Sequence, residues 1–252
     1  MECSYCYCLQ VPNPTWLDLA YADEAKSGSA GDSGRFRRNY SAFLYLSALK
    51  TAGLFGDNPR FLDFGGGSGL LTQMLIDTGN EAWQTDPHIA APPFAAERHL
   101  DLNSLKPHIF DVVTALEVFE HLTDPISTGR ILNGLLKPSG SLVISTEIYC
   151  PDVHTSSWPY LAPSGGQHIT FWSKKALYIL LNALSFESLG FFPGESGFML
   201  VFSHLSEEKL LETLAQAHSI LCNSEYTGRA LAAFDFRSDG IASNQFGILG
   251  KL

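Results

Sequence analysis

The sequence predicts an α/β protein built on a doubly wound, mostly parallel sheet of seven strands. Short apolar segments alternate with amphipathic helical segments through residues 54–205, which is the pattern of parallel strands joined by crossover helices. A glycine-rich turn follows the first apolar segment, where an open parallel sheet binds its ligands. The chain has 252 residues, of which 45% are hydrophobic, so it can bury a sizeable core.

The part of the chain before this region predicts a cover. Residues 1–14 have the composition of an irregular leader, and "TWLDLAYADEAK" predicts a short helix. The segment "RRNYSAFLYLSALKTAG" places apolar residues at helical spacing and ends at Gly53, a residue type that often terminates helices. We therefore expect residues 1–53 to form a leader and a helical cover in front of the sheet.

The strands follow in order through the central region. The seven predicted strands are "RFLDF", "EAWQTD", "RHLDL", "FDVVTALEV", "SLVISTEI", "ESLGFF" and "GFMLVFSHL". The third is weak and the fourth is strongly apolar. The intervening helices are "GLLTQMLIDTG", "STGRILNGLLKPSG" and "SKKALYILLNALSF". Only a short loop separates the last two strands, which predicts an antiparallel strand at one edge of the sheet.

Residues 206–252 form the last predicted part. The segment "SEEKLLETLAQAHSILCN" has an amphipathic pattern, which predicts a helical extension packed on the same domain. The final "IASNQFGILGKL" fits either a docked strand or a tail, and the sequence leaves both open.

Charge and hydropathy limit the partners. The formal net charge is −10, and this acidic balance argues against a large nucleic-acid footprint, because phosphate binding needs a basic face. No apolar run approaches the ~18 residues that would predict a membrane span. The N-terminus lacks the pattern of a signal peptide, so we expect a soluble, cytoplasmic protein. A homodimer stays open.

The five cysteines predict reduced thiols, since an odd number without a signal peptide does not indicate a disulfide framework. Cys3, Cys6 and Cys8 have the spacing of metal ligands at one end. A structural zinc site usually takes four ligands, and no second pair follows, so incidental thiols are favoured over zinc.

The glycine-rich turn carries the most specific signal. In "FLDFGGGSGLLTQM" the glycines are Gly65, Gly66, Gly67 and Gly69, between a strand and a helix. Asp63 stands two residues before them, where a carboxylate favours a ligand with an ammonium group over an anion such as pyrophosphate. The spacing also differs from G-x-G-x-x-G, which makes a nicotinamide dinucleotide the weaker alternative.

Two more acidic residues follow the next strands. Asp86 ends the second strand, where a carboxylate can accept both hydroxyls of a ribose. Asp101 follows the third, where an adenine amino group can be recognised. Any one of these acids alone is more often a helix cap or a solvated loop residue. Together with Asp63 they indicate a nucleoside cofactor that carries an amino group.

These residues resemble a known family. The segments that carry the resemblance are "FLDFGGGSGLLTQML", "QTDPHIA", "DLNSL" and "FDVVTALEVFEHLTDP". They are similar to the successive motifs of class I S-adenosylmethionine-dependent methyltransferases, which have a Rossmann-like fold. The resemblance covers roughly residues 36–204. The stretch "GGQHITFWSKKALYILLNAL" is similar to a segment of one broad branch that acts on small molecules and glycans.

The resemblance implies a role for each motif residue. Residues 16–40 would fold over the cofactor, as the N-terminal helices do in similar proteins. The expected cofactor-binding residues are Asp63 and Gly65, Gly66, Gly67 and Gly69 for the methionine part, Asp86 for the ribose, Pro87 with His88 beside the adenine, Asp101 and Leu102 at the adenine edge and face, and Leu116 and Glu117 on the sulfonium side.

Three candidates for catalysis lie in two segments. Glu120 and His121 belong to "EVFEHLTDP", and His168 belongs to "GGQH". Methyl transfer is an in-line displacement, so the enzyme either only positions the acceptor or also removes a proton, for which histidine is well suited. A further alternative is magnesium at Glu117, Glu120 and His121. This grouping with a later histidine resembles methyltransferases that act on polyprenyl catechols and on small-RNA 3′ ends.

The first hypothesis is therefore an S-adenosylmethionine-dependent methyltransferase that acts on a small-molecule or glycan acceptor, with oxygen as the expected acceptor atom. The second is an NAD(P)-dependent oxidoreductase on a similar sheet. The third is a non-catalytic, cofactor-binding partner subunit. The aromatic loop "WPYLAP" fits an acceptor pocket, although Trp158, Tyr160 and Trp172 fit a lid core slightly better.

Overall fold

The computed structural model of the protein describes residues 1–21, 34–193 and 199–223. Its centre is a six-stranded sheet. In chain order the strands are β2 (Arg60–Phe64), β3 (Glu81–Thr85), β4 (Phe110–Leu116), β5 (Leu136–Ser145), β7 (Ser188–Phe192) and β8 (Met199–Ser203). A separate two-stranded ribbon pairs β1 (Leu9–Gln10) with β6 (Thr170–Phe171). The predicted tail "IASNQFGILGKL" lies outside the described residues.

The strand order confirms the predicted fold class. Across the sheet the order is β3-β2-β4-β5-β8-β7. The first four strands pair in parallel, and β8 is antiparallel to both of its neighbours. The predicted antiparallel pairing at one edge is therefore present, with the antiparallel strand in the second position from that edge.

One predicted strand does not form, which reduces the expected seven strands to six. The segment "RHLDL" makes a single parallel bridge, between His99 and Gln84. Short 3₁₀ turns at Ala96–Arg98 and Leu102–Ser104 stand on either side of it. Because both turns bend the backbone, too few extended residues are left between them to pair as a strand.

Five helices cover the two faces of the sheet in the described residues: α1 (Arg35–Thr51), α2 (Leu70–Asp77), α3 (Pro125–Leu135), α4 (Lys174–Ala183) and α5 (Glu207–Asn223). Side chains of α1, α2 and α5 share one core cluster with Val112 of β4. Side chains of α3 and α4 share a second cluster with the next residue, Val113. Since successive strand residues point to opposite faces, the sheet is doubly wound.

Local signals fix the ends of these helices. The Asp124 carboxylate accepts a hydrogen bond from the Ser127 backbone amide at the start of α3, and Ser173 caps α4 in the same way. After α1, Gly53 has φ +86° and its N–H bonds the Lys50 carbonyl, which confirms the predicted helix end.

Strand β5 begins before the predicted "SLVISTEI". It starts at Leu136, which pairs with Phe110 across a register shift in β4. The Lys137 ammonium also binds the Asp111 carboxylate at 2.8 Å. These contacts hold the "LKPSG" segment in the sheet, where the sequence predicts a helix end.

No helix within the described ranges is both long and apolar enough to cross a bilayer. Helix α5 instead lies against the sheet, where Leu210, Leu214 and Ala217 are buried in the cluster that α1 also enters. The predicted C-terminal helix is therefore present through Asn223 and packs on the same core.

Candidate active site

The carboxyl ends of four neighbouring strands form one edge of the sheet. Strands β3, β2, β4 and β5 run parallel, so the segments that follow them meet there. The glycine loop follows β2, Asp86 follows β3 and Glu117 follows β4. The structure thus brings together the predicted site residues of three separate motifs.

The glycine loop has a backbone that other residues would strain. Gly65, Gly67 and Gly69 have φ values of +72°, +54° and +79°. A Cβ atom on Gly69 would lie 2.2 Å from the Phe94 carbonyl oxygen, and one on Gly66 would lie 2.7 Å from Oε1 of Gln84. Only Gly67 has nothing within 4 Å of a Cβ position, so it is the point of the loop where a ligand can approach the backbone closely.

Asp63 is buried just before this loop. Its Oδ1 accepts a hydrogen bond from the Thr114 hydroxyl at 2.6 Å. Burial raises the pKa of Asp63 to about 7; the Thr114 hydrogen bond works against this increase and the nearby charge of Asp86 adds to it. A cationic group placed beside this carboxylate would favour its ionised form.

Asp86 joins the glycine loop to the end of β3. Its Oδ2 accepts a hydrogen bond from the Gly67 amide at 3.0 Å. Its Oδ1 accepts from the amides of His88 at 2.8 Å and Ile89 at 3.2 Å. Pro87 is exposed beside it. Carboxylate oxygens have two lone pairs each, so Asp86 keeps capacity for further hydrogen bonds.

Asp101 acts as a cap in this structure. Its Oδ1 accepts a hydrogen bond from the Asn103 amide at 3.0 Å, at the start of the 3₁₀ turn that contains Leu102. The side chain of Asp101 is exposed. Its predicted contact with adenine stays a prediction.

The end of the N-terminal segment bridges the two sides of the cleft. The Tyr21 ring stacks on His88, with ring centroids 4.3 Å apart and planes within 1°. The Trp16 indole N–H donates to the Gly166 carbonyl at 2.7 Å. Residues 16–21 therefore connect the end of β3 with the loop before β6, as expected for part of a cover; residues 22–33 lie outside the described residues.

Glu117 stands at a strained position directly after β4. Its φ is +53°, in the left-handed region that few residues other than glycine and asparagine occupy. Its amide donates to the Ser145 hydroxyl at 2.9 Å, and that hydroxyl donates to Glu117 Oε1 at 2.7 Å. Strands β4 and β5 thus hold both the backbone and the carboxylate of Glu117.

Glu120, His121 and His168 converge next to Glu117. One ligand-type atom from each lies within 4.8 Å of the other two. Glu120 is fully buried, and burial together with the charge of Glu117 raises its pKa well above the usual range. The Tyr160 hydroxyl donates to Glu120 Oε1 at 2.5 Å. The other oxygen, Oε2, is buried and no described residue bonds to it.

Both histidines of the cluster are oriented by backbone carbonyls. Nδ1 of His121 lies 3.1 Å from the Gln167 oxygen, and Nδ1 of His168 lies 2.7 Å from the Tyr160 oxygen. Burial lowers the pKa of His121 to about 4 and also lowers that of His168. Both rings are therefore neutral near pH 7. With the proton on Nδ1, each ring keeps a lone pair on Nε2 for a cation or a proton.

The predicted magnesium grouping of Glu117, Glu120 and His121 with a later histidine is present in part. His168 is the third member of the cluster, while both oxygens of Glu117 bond to hydroxyl groups, at 2.7 Å to Ser145 and at 3.2 Å to Tyr160. The predicted grouping included a later histidine, and the structure places His168 in that position. Among the residues that the structure describes, Cys3, Cys6 and Cys8 belong to no such group.

Three residues around the cluster were not predicted as part of the site. Ser145 and Thr146 follow the apolar run of β5, and polar residues at that strand end are a signal that could have been used. Tyr160 fits the lid-core alternative, because it is buried with Trp158 and Phe171. Its hydroxyl nevertheless reaches the cluster, which no pattern in the sequence indicates.

A mostly apolar cavity of about 310 Å³ lies beside the cluster. Its lining includes Leu9, Trp16, Leu161 and Phe171, with His168 in the same wall. His168 therefore belongs both to the cluster and to the cavity. Part of the aromatic loop predicted for an acceptor pocket lines this space.

The chain is similar to several known proteins. The family described as "Methyltransferase domain" matches residues 33–189. A ubiquinone biosynthesis O-methyltransferase of Vibrio cholerae is 33% identical over 114 residues, which cover 38% of this chain and 44% of that protein. The corresponding protein of Aeromonas salmonicida is 34% identical over 114 residues, covering 38% of this chain and 46% of that protein. The chain thus spans less than half the length of these relatives.

A solved structure shares the fold. One chain of the Haloferax volcanii complex that contains the Trm112 methyltransferase activator is 18% identical to this chain, with a TM-score of 0.52. The superposition covers 79% of this chain and 93% of that chain.

Proposed function

Because this chain belongs to the class I S-adenosylmethionine-dependent methyltransferase family, we propose that it methylates a hydroxyl group of a small acceptor with an apolar part. The observation that carries the proposal is His168, which belongs both to the buried Glu120, His121 and His168 cluster and to the apolar cavity. An acceptor whose apolar part fills the cavity can place a hydroxyl at the cluster. The O-methyltransferases among the relatives support oxygen as the acceptor atom.

The cofactor would lie along the strand ends. We assign its amino group to Asp63, its ribose to Asp86, and its adenine to the surface formed by Pro87, Asp101 and Leu102. Leu116 and Glu117 would face the sulfonium. The buried Asp63 carboxylate and the open backbone at Gly67 fit a ligand with an ammonium group held close to the backbone. When bound, S-adenosylmethionine supplies an electrophilic methyl group.

We assign a divalent cation to Glu120, His121 and His168. The fit rests on the unbonded Glu120 Oε2 and on the two Nε2 atoms, whose rings are fixed through Nδ1. Two imidazoles favour a first-row transition-metal cation over Mg²⁺, which prefers oxygen ligands, and Mn²⁺ serves as the spectroscopic probe of such a site. When bound, the cation supplies positive charge that favours the ionised form of an acceptor hydroxyl.

The residues themselves perform two tasks in this reaction. They hold the acceptor oxygen in line with the methyl group, which supplies much of the rate increase in a displacement. Where no cation occupies the cluster, Nε2 of His121 or His168 has a free lone pair and would take the proton instead. The cavity wall around His168 excludes water from the reacting oxygen.

Calorimetry tests the cofactor assignment first. We expect the full chain to bind S-adenosylhomocysteine with micromolar affinity, not to bind NADH, and to lose binding in Asp86→Ala. A folded protein that binds neither compound would refute the proposal, and binding of NADH alone would favour the oxidoreductase.

An acceptor assay then tests the chemistry. Hydroxylated aromatic compounds with and without an aliphatic chain are incubated with labelled cofactor, with chelator or with added Mn²⁺. We expect methylation only of the compounds with an aliphatic chain. We also expect at least tenfold less product with chelator. Equal rates in both conditions would leave proton transfer to histidine as the mechanism. Cofactor binding without any product would favour the non-catalytic subunit.

A further inference from the structure

Tyr160 contacts two members of the cluster, Glu120 and His168, and also the neighbouring Glu117. It lies in the 3₁₀ turn Pro159–Leu161, with 9% of its surface exposed. Its ring packs against Trp158, His168 and Phe171, with centroid distances of 5.3, 4.5 and 6.4 Å. These three rings fix the direction in which the phenol points.

The hydroxyl of Tyr160 lies between the two carboxylates. It donates to Glu120 Oε1 at 2.5 Å and reaches Glu117 Oε2 at 3.2 Å. The Thr146 hydroxyl lies 3.1 Å away on the other side. Since a phenol has a single hydrogen, it serves one carboxylate at a time, and the shorter distance favours Glu120.

The backbone of the same residue orients the histidine. Nδ1 of His168 donates to the Tyr160 carbonyl at 2.7 Å. One residue thus contacts Glu117 and Glu120 through its hydroxyl and His168 through its carbonyl. No other described residue is seen to bond to all three.

We propose that Tyr160 is the positioning residue of the cation site, which turns Glu120 Oε2 toward the two histidines by binding Oε1 and fixes the tautomer of His168. This inference rests on the proposed function, because it takes the cluster to be a cation site. Hydrogen bonds to ligating residues typically change metal affinity by 10–100-fold when they are removed.

A packing role alone would not need the hydroxyl. Phenylalanine would fill the space among Trp158, His168 and Phe171, and would leave Glu120 Oε1 and the Thr146 hydroxyl without their bond to the phenol. The substitution Tyr160→Phe therefore separates the two roles, since it keeps the ring and the His168 contact to the backbone but removes the hydrogen bond to Glu120.

The test measures Mn²⁺ binding to the full chain without cofactor, by the loss of the free-ion electron paramagnetic resonance signal. We expect Tyr160→Phe to weaken Mn²⁺ binding at least tenfold and to leave the affinity for S-adenosylhomocysteine within twofold. The matched control is Tyr149→Phe, whose hydroxyl bonds Glu2 at 2.8 Å outside the cluster. We expect this control to bind Mn²⁺ like the unchanged chain.

The outcomes separate this inference from the proposed function. If the unchanged chain binds Mn²⁺ and Tyr160→Phe binds it within twofold, the role of Tyr160 is refuted and the cation site stands. If the unchanged chain binds no Mn²⁺, the cation site and the role of Tyr160 are both refuted, and methylation with proton transfer to histidine stands as the proposed function. Should Tyr160→Phe not fold, Thr146→Val removes the other partner of the phenol, and we expect two- to fivefold weaker binding. Unchanged affinity in Thr146→Val would then count against the inference.

Discussion

Asp63, assigned to the cofactor, and His121, in the cluster with Glu120 and His168, are both buried titratable side chains. Burial raises the pKa of Asp63 to about 7 and lowers that of His121 to about 4, so in both cases the charged form is disfavoured. Both shifts make the free energy of unfolding depend on pH, and the two effects have opposite signs. The two contributions are separated by substituting one residue at a time and comparing the pH dependence of unfolding with that of the unchanged chain.

For Asp63 we expect a gain in stability when the carboxyl is neutralised. Its pKa is raised from the ordinary value of 3.8 to about 7, so the unfolded chain releases a proton that the folded chain retains as pH rises through this range. Stability is therefore lost between about pH 4 and 7, by up to ~4 kcal/mol at ~1.4 kcal/mol per pKa unit. Asp63→Asn should unfold at higher urea concentration than the unchanged chain at pH 8, and much less so at pH 4.5.

The same substitution should abolish binding of S-adenosylhomocysteine, because the amide cannot pair with an ammonium group. Thr114→Val is the control, since it removes the hydrogen bond to Asp63 but keeps the carboxylate. A stability gain that is equal at both pH values would contradict the assigned pKa.

For His121 the sign is reversed. Its pKa is lowered from the ordinary value of 6.5 to about 4, so the unfolded chain takes up a proton that the folded chain does not. The stabilising contribution is complete above pH 6.5 and is lost as pH falls toward 4, on the order of 3 kcal/mol. His121→Gln should therefore lose less stability than the unchanged chain between pH 7.5 and 4.5, measured by urea unfolding with chelator present.

At the scale of single elements, the glycine loop combines two separate requirements. Gly67 and Gly69 both have positive φ, but only at Gly69 would a Cβ atom meet other backbone. Substitution of Gly67 therefore measures conformational strain alone, and substitution of Gly69 measures strain together with steric overlap.

Gly67→Ala should cost about 1 kcal/mol of stability, which is the penalty for a left-handed residue with a side chain. Gly69→Ala should cost about 2–4 kcal/mol, because its Cβ also meets the Phe94 carbonyl oxygen at 2.2 Å. Thermal or urea unfolding of both variants measures the difference. Equal costs would show that the Phe94 segment moves away without penalty.

Elements with a repeating pattern were predicted well from the sequence, and contacts between distant segments were not. The alternation of apolar residues identified the strands β2 and β4 and the helix α1, because burial imposes its period on the sequence. The third strand failed because two 3₁₀ turns compete for its residues. Asp63, Glu120 and His121 follow from strand ends, whereas the place of His168 and Tyr160 depends on how a later loop returns.

At the scale of the molecule, one apolar layer packs on each face of the sheet. The last described helix, α5, completes the layer that also contains α1 and α2. Leu214 of α5 is buried against the sheet, where a Cβ atom on Gly190 would come within 2.3 Å of it. Helix α5 is therefore part of the core and not an appendage. We predict that it unfolds together with the rest of the domain.

Leu214→Ala should lower the stability by about 2–4 kcal/mol, because it opens a cavity between α5 and the sheet. Leu211→Ala on the same helix is the control, since Leu211 is 53% exposed and should cost less than about 1 kcal/mol. Urea unfolding should show one transition for both. A separate early transition in Leu214→Ala would show that α5 is an independent unit.

The contact between the N-terminal segment and the loop before β6 has a consequence for biosynthesis. Trp16 and Gly166 lie 150 positions apart in the chain, so Trp16 waits for a partner that is translated much later. At 5–20 residues per second the delay is roughly 8–30 s. Strands β2, β3 and β4 and the glycine loop are complete long before that. The cavity beside His168 can consequently close only after the cofactor side of the molecule has been synthesised.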